Sequence, residues 1–127
     1  MTLTPTPDFR FRQNEHLKKG AQFERVYDRR RSVSNDWLIV YACENGLAYS
    51  RIGMSVGRKW GGAVVRNRIR RMYREAYRLA RTEVPTGLDL VLIPRTAKPP
   101  ELTEMVRSLP KLIRNAARRL EPREQPK

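Results

Sequence analysis

The chain has 127 residues, enough for one hydrophobic core and one ordinary domain. Its 27 lysine and arginine residues outweigh 13 acidic residues and give a formal net charge of +14, which favours a polyanionic partner because the charges of the compact chain repel one another. The composition excludes an internal disulfide (one cysteine), a Cys/His zinc cluster (one histidine) and a transmembrane helix, since no apolar run approaches roughly 20 residues.

The amino-terminal part is predicted to be a flexible segment followed by one helix. Residues 1–14 hold two prolines, so we expect the amino terminus to be flexible. They lack the apolar core of a signal peptide, so we expect a cytoplasmic protein. In LKKGAQFERVYDRRR, residues 17–31, Phe23, Val26 and Tyr27 recur at helical spacing. Spacing alone favours a core position for both aromatic rings. The terminal arginines, residues 29–31, suit the carboxyl end of a helix or an RNA contact.

Two β-strands are predicted next. WLIVYA, residues 37–42, is β-branched and aromatic, and ENG at residues 44–46 is a turn signal. Alternation of Ile52, Met54 and Val56 with small or polar residues predicts a half-buried strand, so we expect a small antiparallel sheet here. Tyr41 is expected to share a strand face with Trp37 and Ile39. The lone Cys43 is interpreted as a small buried apolar group.

The segment AVVRNRIRRMYREAYRLAR, residues 63–81, has the pattern of an amphipathic helix with one cationic side. At helical spacing the predicted buried stripe is Val65, Ile69, Met72, Ala76 and Leu79. The opposite side carries Arg66, Asn67, Arg70, Arg71, Arg74, Arg78 and Arg81, with Arg68 beside the stripe and Glu75 interrupting the charge.

This charge favours a ligand over a merely solvated face. Surface helices usually mix their signs, whereas like charges at i, i+4, such as Arg66 with Arg70 and Arg70 with Arg74, cost about 0.2–0.5 kcal/mol each. Arginine can also bind phosphate through two parallel hydrogen bonds and stack on a base. A membrane surface is disfavoured because it would require bulky Trp, Phe or Leu on the apolar side. Nucleic acid is therefore the expected partner.

A buried strand and a long helix complete the pattern. LDLVLI, residues 88–93, is a compact apolar run, and residues 101–120 carry an apolar stripe at helical spacing. Pro110 lies inside this last helix, so a kink or break is expected there. The polar tail EPREQPK, residues 121–127, is predicted to be flexible.

The segment GRKWGGAVVRNRIRRMYREAYR resembles the signature of the bacterial ribonuclease P protein family: a glycine loop, Ala-Val, an Arg-Asn-Arg triplet and a basic helix. KKGAQFERVYDRRRSVSNDWLIVYA before it, and LDLVLIPR with the last helix after it, are similar to the family's other elements. The chain departs from the family at Gly62, where asparagine is usual, and at His16, where arginine is common. The resemblance covers roughly residues 15–120.

The resemblance implies a single α+β domain over residues 15–120. Its fold would be a compact, ribosomal-protein-like α-β sandwich in the order α-β-β-β-α-β-α, with a four-stranded sheet. The β-α-β crossover around the basic helix would be left-handed, which composition and spacing could not indicate because such crossovers are nearly always right-handed.

The resemblance also implies a function. In the family an RNA subunit cleaves the 5′ leader from precursor tRNA with Mg2+, so the protein itself would bind no cofactor or metal and contribute no catalytic residue. It would bind the ribonuclease P RNA, one to one, and precursor tRNA. The residues implied to bind RNA are Arg58, Lys59, Arg66, Asn67, Arg68, Arg70, Arg71 and Arg74. Those implied to line the leader cleft are Lys19, Phe23, Tyr27 and Tyr41, with Lys59 nearby.

Two rival functions are distinguishable. A nuclease made of protein alone would require clustered carboxylates for a metal or a histidine pair for acid-base chemistry, whereas the acidic residues are scattered and His16 is alone. We therefore expect the isolated protein to cut nothing. A structural RNA-binding protein of the ribosomal type would have similar charge but no need of aromatic rings on one concave surface, and it would not stimulate precursor cleavage.

Overall fold

The computed structural model describes residues 15–120, which form an α+β fold around one four-stranded sheet. The helices and strands are α1 (Ala21–Asp28), β1 (Ser32–Ser34), β2 (Leu38–Glu44), β3 (Arg51–Met54), α2 (Ala63–Ala80), β4 (Leu88–Pro94) and α3 (Leu102–Arg118). This order confirms the predicted fold class and succession of elements. The predicted flexible segments, residues 1–14 and 121–127, lie outside the described residues.

The strand order is β1-β2-β4-β3, so β4 lies between β2 and β3. Strand β4 pairs antiparallel with β2 and parallel with β3. The expected small antiparallel sheet of β2 and β3 is therefore wrong, because these two strands do not pair with each other. The reason lies in β4 itself: its residues are buried on both faces, which suits a central strand. Helix α2 thus crosses between neighbouring parallel strands, and the left hand of this crossover stays a prediction.

The two faces of the sheet are covered by different helices. Helices α2 and α3 pack on one face, against a core that includes Leu38, Val40 and Leu90. Helix α1 packs on the other face, where Phe23 and Val26 meet Cys43 and Val91 in a second, smaller cluster. The outer edge of β3 is partly covered, since the Leu17 backbone N–H donates to the Ile52 carbonyl at 2.7 Å.

The buried stripe of α2 is rotated by roughly 60° from the predicted one. Ile69 and Ala76 are buried as predicted, but Leu79 is 36% exposed while Tyr73 and Tyr77 are buried. The phenol rings fill the core, and the Tyr73 hydroxyl donates to the Trp37 carbonyl at 3.3 Å. Burial raises the pKa of both phenols. The predicted stripe omitted these two tyrosines, and their burial accounts for the rotation.

Three local predictions also require correction. Helix α1 is shorter than residues 17–31, because Gly20 before it has φ 89° and Arg30 after it has φ 55°, both outside the helical range. Trp37 packs with the α2 and α3 core beside Tyr73, not on the face of Tyr41. Helix α3 continues through Pro110, so the expected break is wrong, because the flanking turns are held by buried apolar side chains; a kink at Pro110 stays a prediction.

A buried carboxylate joins α1 to the sheet. Asp89 of β4 is fully buried and receives hydrogen bonds from the guanidinium groups of Arg25 and Arg51 and, at 3.0 Å, from the Asn45 amide. An unpaired charge in such a position would cost several kcal/mol, so the arginines are required for its burial. The sequence signal was an acid inside the apolar run LDLVLI.

The contact between Gly53 and Phe23 gives a stability prediction. A Cβ at Gly53 would lie closer than 3.0 Å to two atoms of the Phe23 ring. We expect Gly53→Ala to lower the free energy of unfolding by about 1–3 kcal/mol, because the ring must be displaced from a packed cluster. Urea unfolding followed by circular dichroism measures this change.

The matched control is Gly57→Ala. At Gly57 a Cβ would meet only Lys59, at 3.7 Å, and the backbone has a φ of -69° that any residue adopts. We expect this variant to stay within about 0.5 kcal/mol of the parent protein. Equal unfolding free energies for the two variants would contradict the role of Gly53.

Candidate functional site

One side of α2 presents a cluster of basic side chains. We call this cluster the cationic face of α2; it consists of five arginines and one asparagine between them, namely Arg66, Asn67, Arg68, Arg70, Arg71 and Arg74. Four of the six side chains are exposed, whereas Arg66 and Arg70 are half-buried, because the rotated stripe brings them beside the core. The Nε atom of Arg66 is buried and has no hydrogen-bond partner among the described residues. Packing therefore restrains the Nε end of the Arg66 guanidinium and leaves its two terminal nitrogens for a partner.

The charge of this face is not neutralised by the protein. Within residues 15–120 the ion pairs that involve α2 and the turn after it are Glu75 with Arg78, at 2.5 Å, and Glu15 with Arg81, at 3.0 Å. Both lie towards the carboxyl end of the helix. In the cationic face, Arg70 donates to the neutral Asn67 amide oxygen at 3.1 Å. The amino-terminal half of α2 therefore keeps its full positive charge.

The loop before α2 extends this charge. Arg58 and Lys59 are exposed on a single 3-10 turn, Arg58–Trp60, and the Lys59 ammonium lies 4.7 Å from the centre of the Trp60 ring. Gly61 then has φ 139°, and its backbone approaches Val65 so closely that a Cβ would be about 3.0 Å from that side chain. A tight turn thus explains this glycine and brings the two cations directly before the helix.

Three aromatic rings lie together on the opposite face of the sheet. The Tyr27 and Tyr41 rings are 5.1 Å apart and perpendicular, and Phe23 and Tyr27 are 6.4 Å apart. Tyr27 and Tyr41 are half-buried, whereas Phe23 is only 9% exposed. We call these rings the aromatic cluster. Spacing alone correctly favoured a core position for Phe23, while the two tyrosines remain accessible; Lys19 is exposed just before α1.

Several arginines near the aromatic cluster have structural partners. Arg25 and Arg51 bind Asp89. Arg29 binds Glu44 at 3.0 Å and donates to the Leu120 carbonyl at 3.3 Å, and its hydrogen bond lowers the pKa of the Glu44 carboxyl. Arg29 thus has contacts within the protein, and whether the arginines after α1 also contact RNA stays a prediction. Sequence patterns missed these pairs because their members are far apart in the chain.

The edge of the sheet separates the cationic face from the aromatic cluster. His16 forms an isolated parallel bridge with Ile52 of β3, the edge strand, and is close enough to Arg74 for the guanidinium to affect it. Burial, and secondarily the charge of Arg74, lower the pKa of the imidazole. Arg74 therefore lies on the side of α2 that borders this edge.

The described residues offer no other obvious chemistry. Among residues 15–120, no three or more histidine, cysteine or acidic side chains come together as a metal-binding group. In the same part of the chain, no helix has the length and apolar character to cross a membrane. The arrangement is suited to binding. The cationic face can bind phosphates, and the aromatic cluster can stack on planar aromatic rings.

Comparisons with known proteins agree on one family. The family model described as Ribonuclease P matches residues 11–117. A ribonuclease P protein component from Thermoanaerobacter sp. (strain X514) is 42% identical over 79 residues, 62% of this chain and 68% of the relative. One from Clostridioides difficile (strain 630) is 38% identical over 106 residues, 82% of this chain and 93% of the relative. The solved structure of Staphylococcus aureus RNase P protein has a TM-score of 0.69 at 34% identity, with 80% of this chain and 94% of that chain covered.

The position of His16 beside Arg74 gives a titration prediction. His16 is the one histidine of the chain, so the NMR signals of its imidazole ring can be assigned without ambiguity. We expect Arg74→Gln to raise the pKa of His16, because a repelling charge is removed, and Arg71→Gln to change it less. Because the pKa of His16 is lower in the folded state than in the unfolded state, His16 contributes to the free energy of unfolding only while its ring is neutral. This contribution is lost as the pH falls through the folded pKa. Equal changes in the pKa of His16 in the two variants would show that Arg74 is not the neighbouring charge.

Proposed function

The chain belongs to the ribonuclease P protein family, and on that premise we propose that it is the protein subunit of a ribonuclease P ribonucleoprotein. It binds the RNA subunit through the cationic face of α2 and the 5′ leader of precursor tRNA through the aromatic cluster. Cleavage of the leader then gives the mature 5′ end of tRNA. The observation that carries this proposal is the set of arginines in the Arg-Asn-Arg helix that no carboxylate of the described residues neutralises.

The cationic face suits folded RNA for electrostatic reasons. Each arginine that contacts a phosphate releases condensed counterions, so binding weakens steeply as salt rises. Guanidinium groups held on a helix also substitute for part of the cation cloud that a compact RNA requires, so the complex functions at lower Mg2+ than the RNA alone. Arg58 and Lys59, directly before the helix, add to the same surface.

The aromatic cluster suits a single-stranded leader. Base-on-ring stacking contributes about 1–3 kcal/mol per base with little sequence preference, which a processing enzyme with many precursors requires. Tyr27 and Tyr41 offer partly exposed rings, and Phe23 supports them from the core. Lys19 supplies an exposed cation for a leader phosphate.

We assign the chemistry, and the Mg2+ that it uses, to the RNA subunit. The acidic side chains of the described residues support this assignment, because five of them are held by arginine: Glu15, Glu44, Glu75, Asp89 and Glu104. A carboxylate in an ion pair is less available to a metal ion. The complex is one protein with one RNA, acting in the cytoplasm.

Cleavage of a precursor tRNA at low Mg2+ tests the proposed function. The substrate is incubated with a bacterial ribonuclease P RNA, with this protein, and with both. We expect cleavage at the mature 5′ end only when both are present. Binding to the RNA without stimulation would assign the protein to the structural class, and cleavage by the protein alone would overturn the assignment of the chemistry.

Tyr41 provides a separate test of the leader site. In the reconstituted complex we expect Tyr41→Ala to weaken affinity for precursor tRNA by about 1–3 kcal/mol and to leave affinity for mature tRNA unchanged, because only the precursor has a leader to stack. Tyr41→Phe keeps the ring and is the matched control. Equal losses for precursor and mature tRNA would remove Tyr41 from the leader site.

A further inference from the structure

Helix α3 carries a second line of basic side chains. We call it the outer strip of α3; it consists of Arg107, Lys111, Arg114 and Arg118. The spacings of 4, 3 and 4 residues confine these side chains to roughly 60° of the helix circumference. All four are exposed, and they lie opposite the buried stripe of Met105, Leu109, Ile113 and Ala116.

The strip keeps most of its positive charge. The sequence from residue 105 to residue 120 contains no acid. Within the described part of the chain, Arg107 binds Glu104, whereas Arg114 donates to the Glu83 carbonyl at 3.1 Å and Arg118 to the Asn115 amide oxygen at 3.4 Å. The last two acceptors are neutral, so they orient the guanidinium groups without cancelling their charge.

Helix electrostatics alone do not explain the strip. The helix dipole favours cations in the last turn, which accounts for Arg118 and the neighbouring Arg119. Arg107 has the i,i+3 ion pair with Glu104. Lys111 has no such pair among the described residues; it lies well before the last turn, gains nothing from the dipole there, and is repelled by the neighbouring cations of the strip. A membrane surface would require bulky apolar side chains beside these cations, and the outward side of α3 shows none. The remaining partner is a phosphate backbone.

We propose that the outer strip of α3 is a second phosphate-binding surface for the ribonuclease P RNA. This inference rests on the proposed function. Helices α2 and α3 pack side by side on one face of the sheet, whereas the aromatic cluster lies on the other face. An RNA that covers the cationic face of α2 therefore lies on the same face of the sheet as α3, and an RNA that extends across α2 can contact the outward sides of both helices. Along the axis the strip extends about 16 Å, enough for several successive phosphates.

The salt dependence of RNA binding tests the proposal. The test variant is Lys111→Gln/Arg114→Gln/Arg118→Gln, which changes exposed side chains only. A matched control, Lys18→Gln/Arg95→Gln/Lys98→Gln, removes the same charge from exposed positions outside α2 and α3. The Arg66→Ala/Arg70→Ala variant of α2 is the positive control. Affinity of each full-length protein for the ribonuclease P RNA is measured over a salt series, and circular dichroism verifies folding.

We expect the slope of log affinity against log salt to become shallower by roughly 2 in the α3 variant, at about 0.7–0.9 for each lost phosphate contact, and to be unchanged in the matched control. An unchanged slope in the α3 variant would overturn the inference, as would an equal change in both triple variants. An unchanged slope with a loss of precursor tRNA affinity would also overturn it, because the strip would then face the substrate. If the parent protein itself does not bind this RNA, the proposed function fails first.

Discussion

The structure depends on one buried carboxylate in the middle of the sheet. Asp89 in the central strand β4 is shielded from water, and its arginine partners come from α1 and from β3. Because breaking such a pair leaves a buried charge without compensation, the three elements are held in fixed positions. Beside it, the absence of a side chain at Gly53 allows the Phe23 ring to lie directly on β3. Together these contacts fix α1, and with it the aromatic cluster.

The sheet then separates the two surfaces that we propose bind RNA. One face supports α2 and α3, whose outward sides carry arginine and lysine that the described residues leave mostly unpaired. The other supports α1 and the rings of Tyr27 and Tyr41. A folded RNA presents mainly phosphates, and a single strand presents bases as well, so the two surfaces suit the two RNAs of one processing complex. The sheet lies between them.

Sequence patterns predicted the elements well but not their long-range arrangement. The glycine loop and the arginine spacing of α2 were readable because both signals are local. The position of β4 between β2 and β3 was not, because strand alternation does not specify which strands pair. The predicted buried side of α2 was wrong because the rings of Tyr73 and Tyr77 are buried despite their hydroxyl groups. The Asp89 ion pairs join residues 38 and 64 positions apart, beyond any local pattern.

Site-directed photo-crosslinking tests the division between the two faces most directly. In a Cys43→Ala background, a crosslinker is attached at Tyr41→Cys or at Arg71→Cys, and each protein is combined with ribonuclease P RNA and precursor tRNA. Our account predicts that the first position crosslinks to the 5′ leader and the second to the ribonuclease P RNA. If both positions crosslinked to the same RNA, or if the two targets were exchanged, the account of two separate binding surfaces would be wrong.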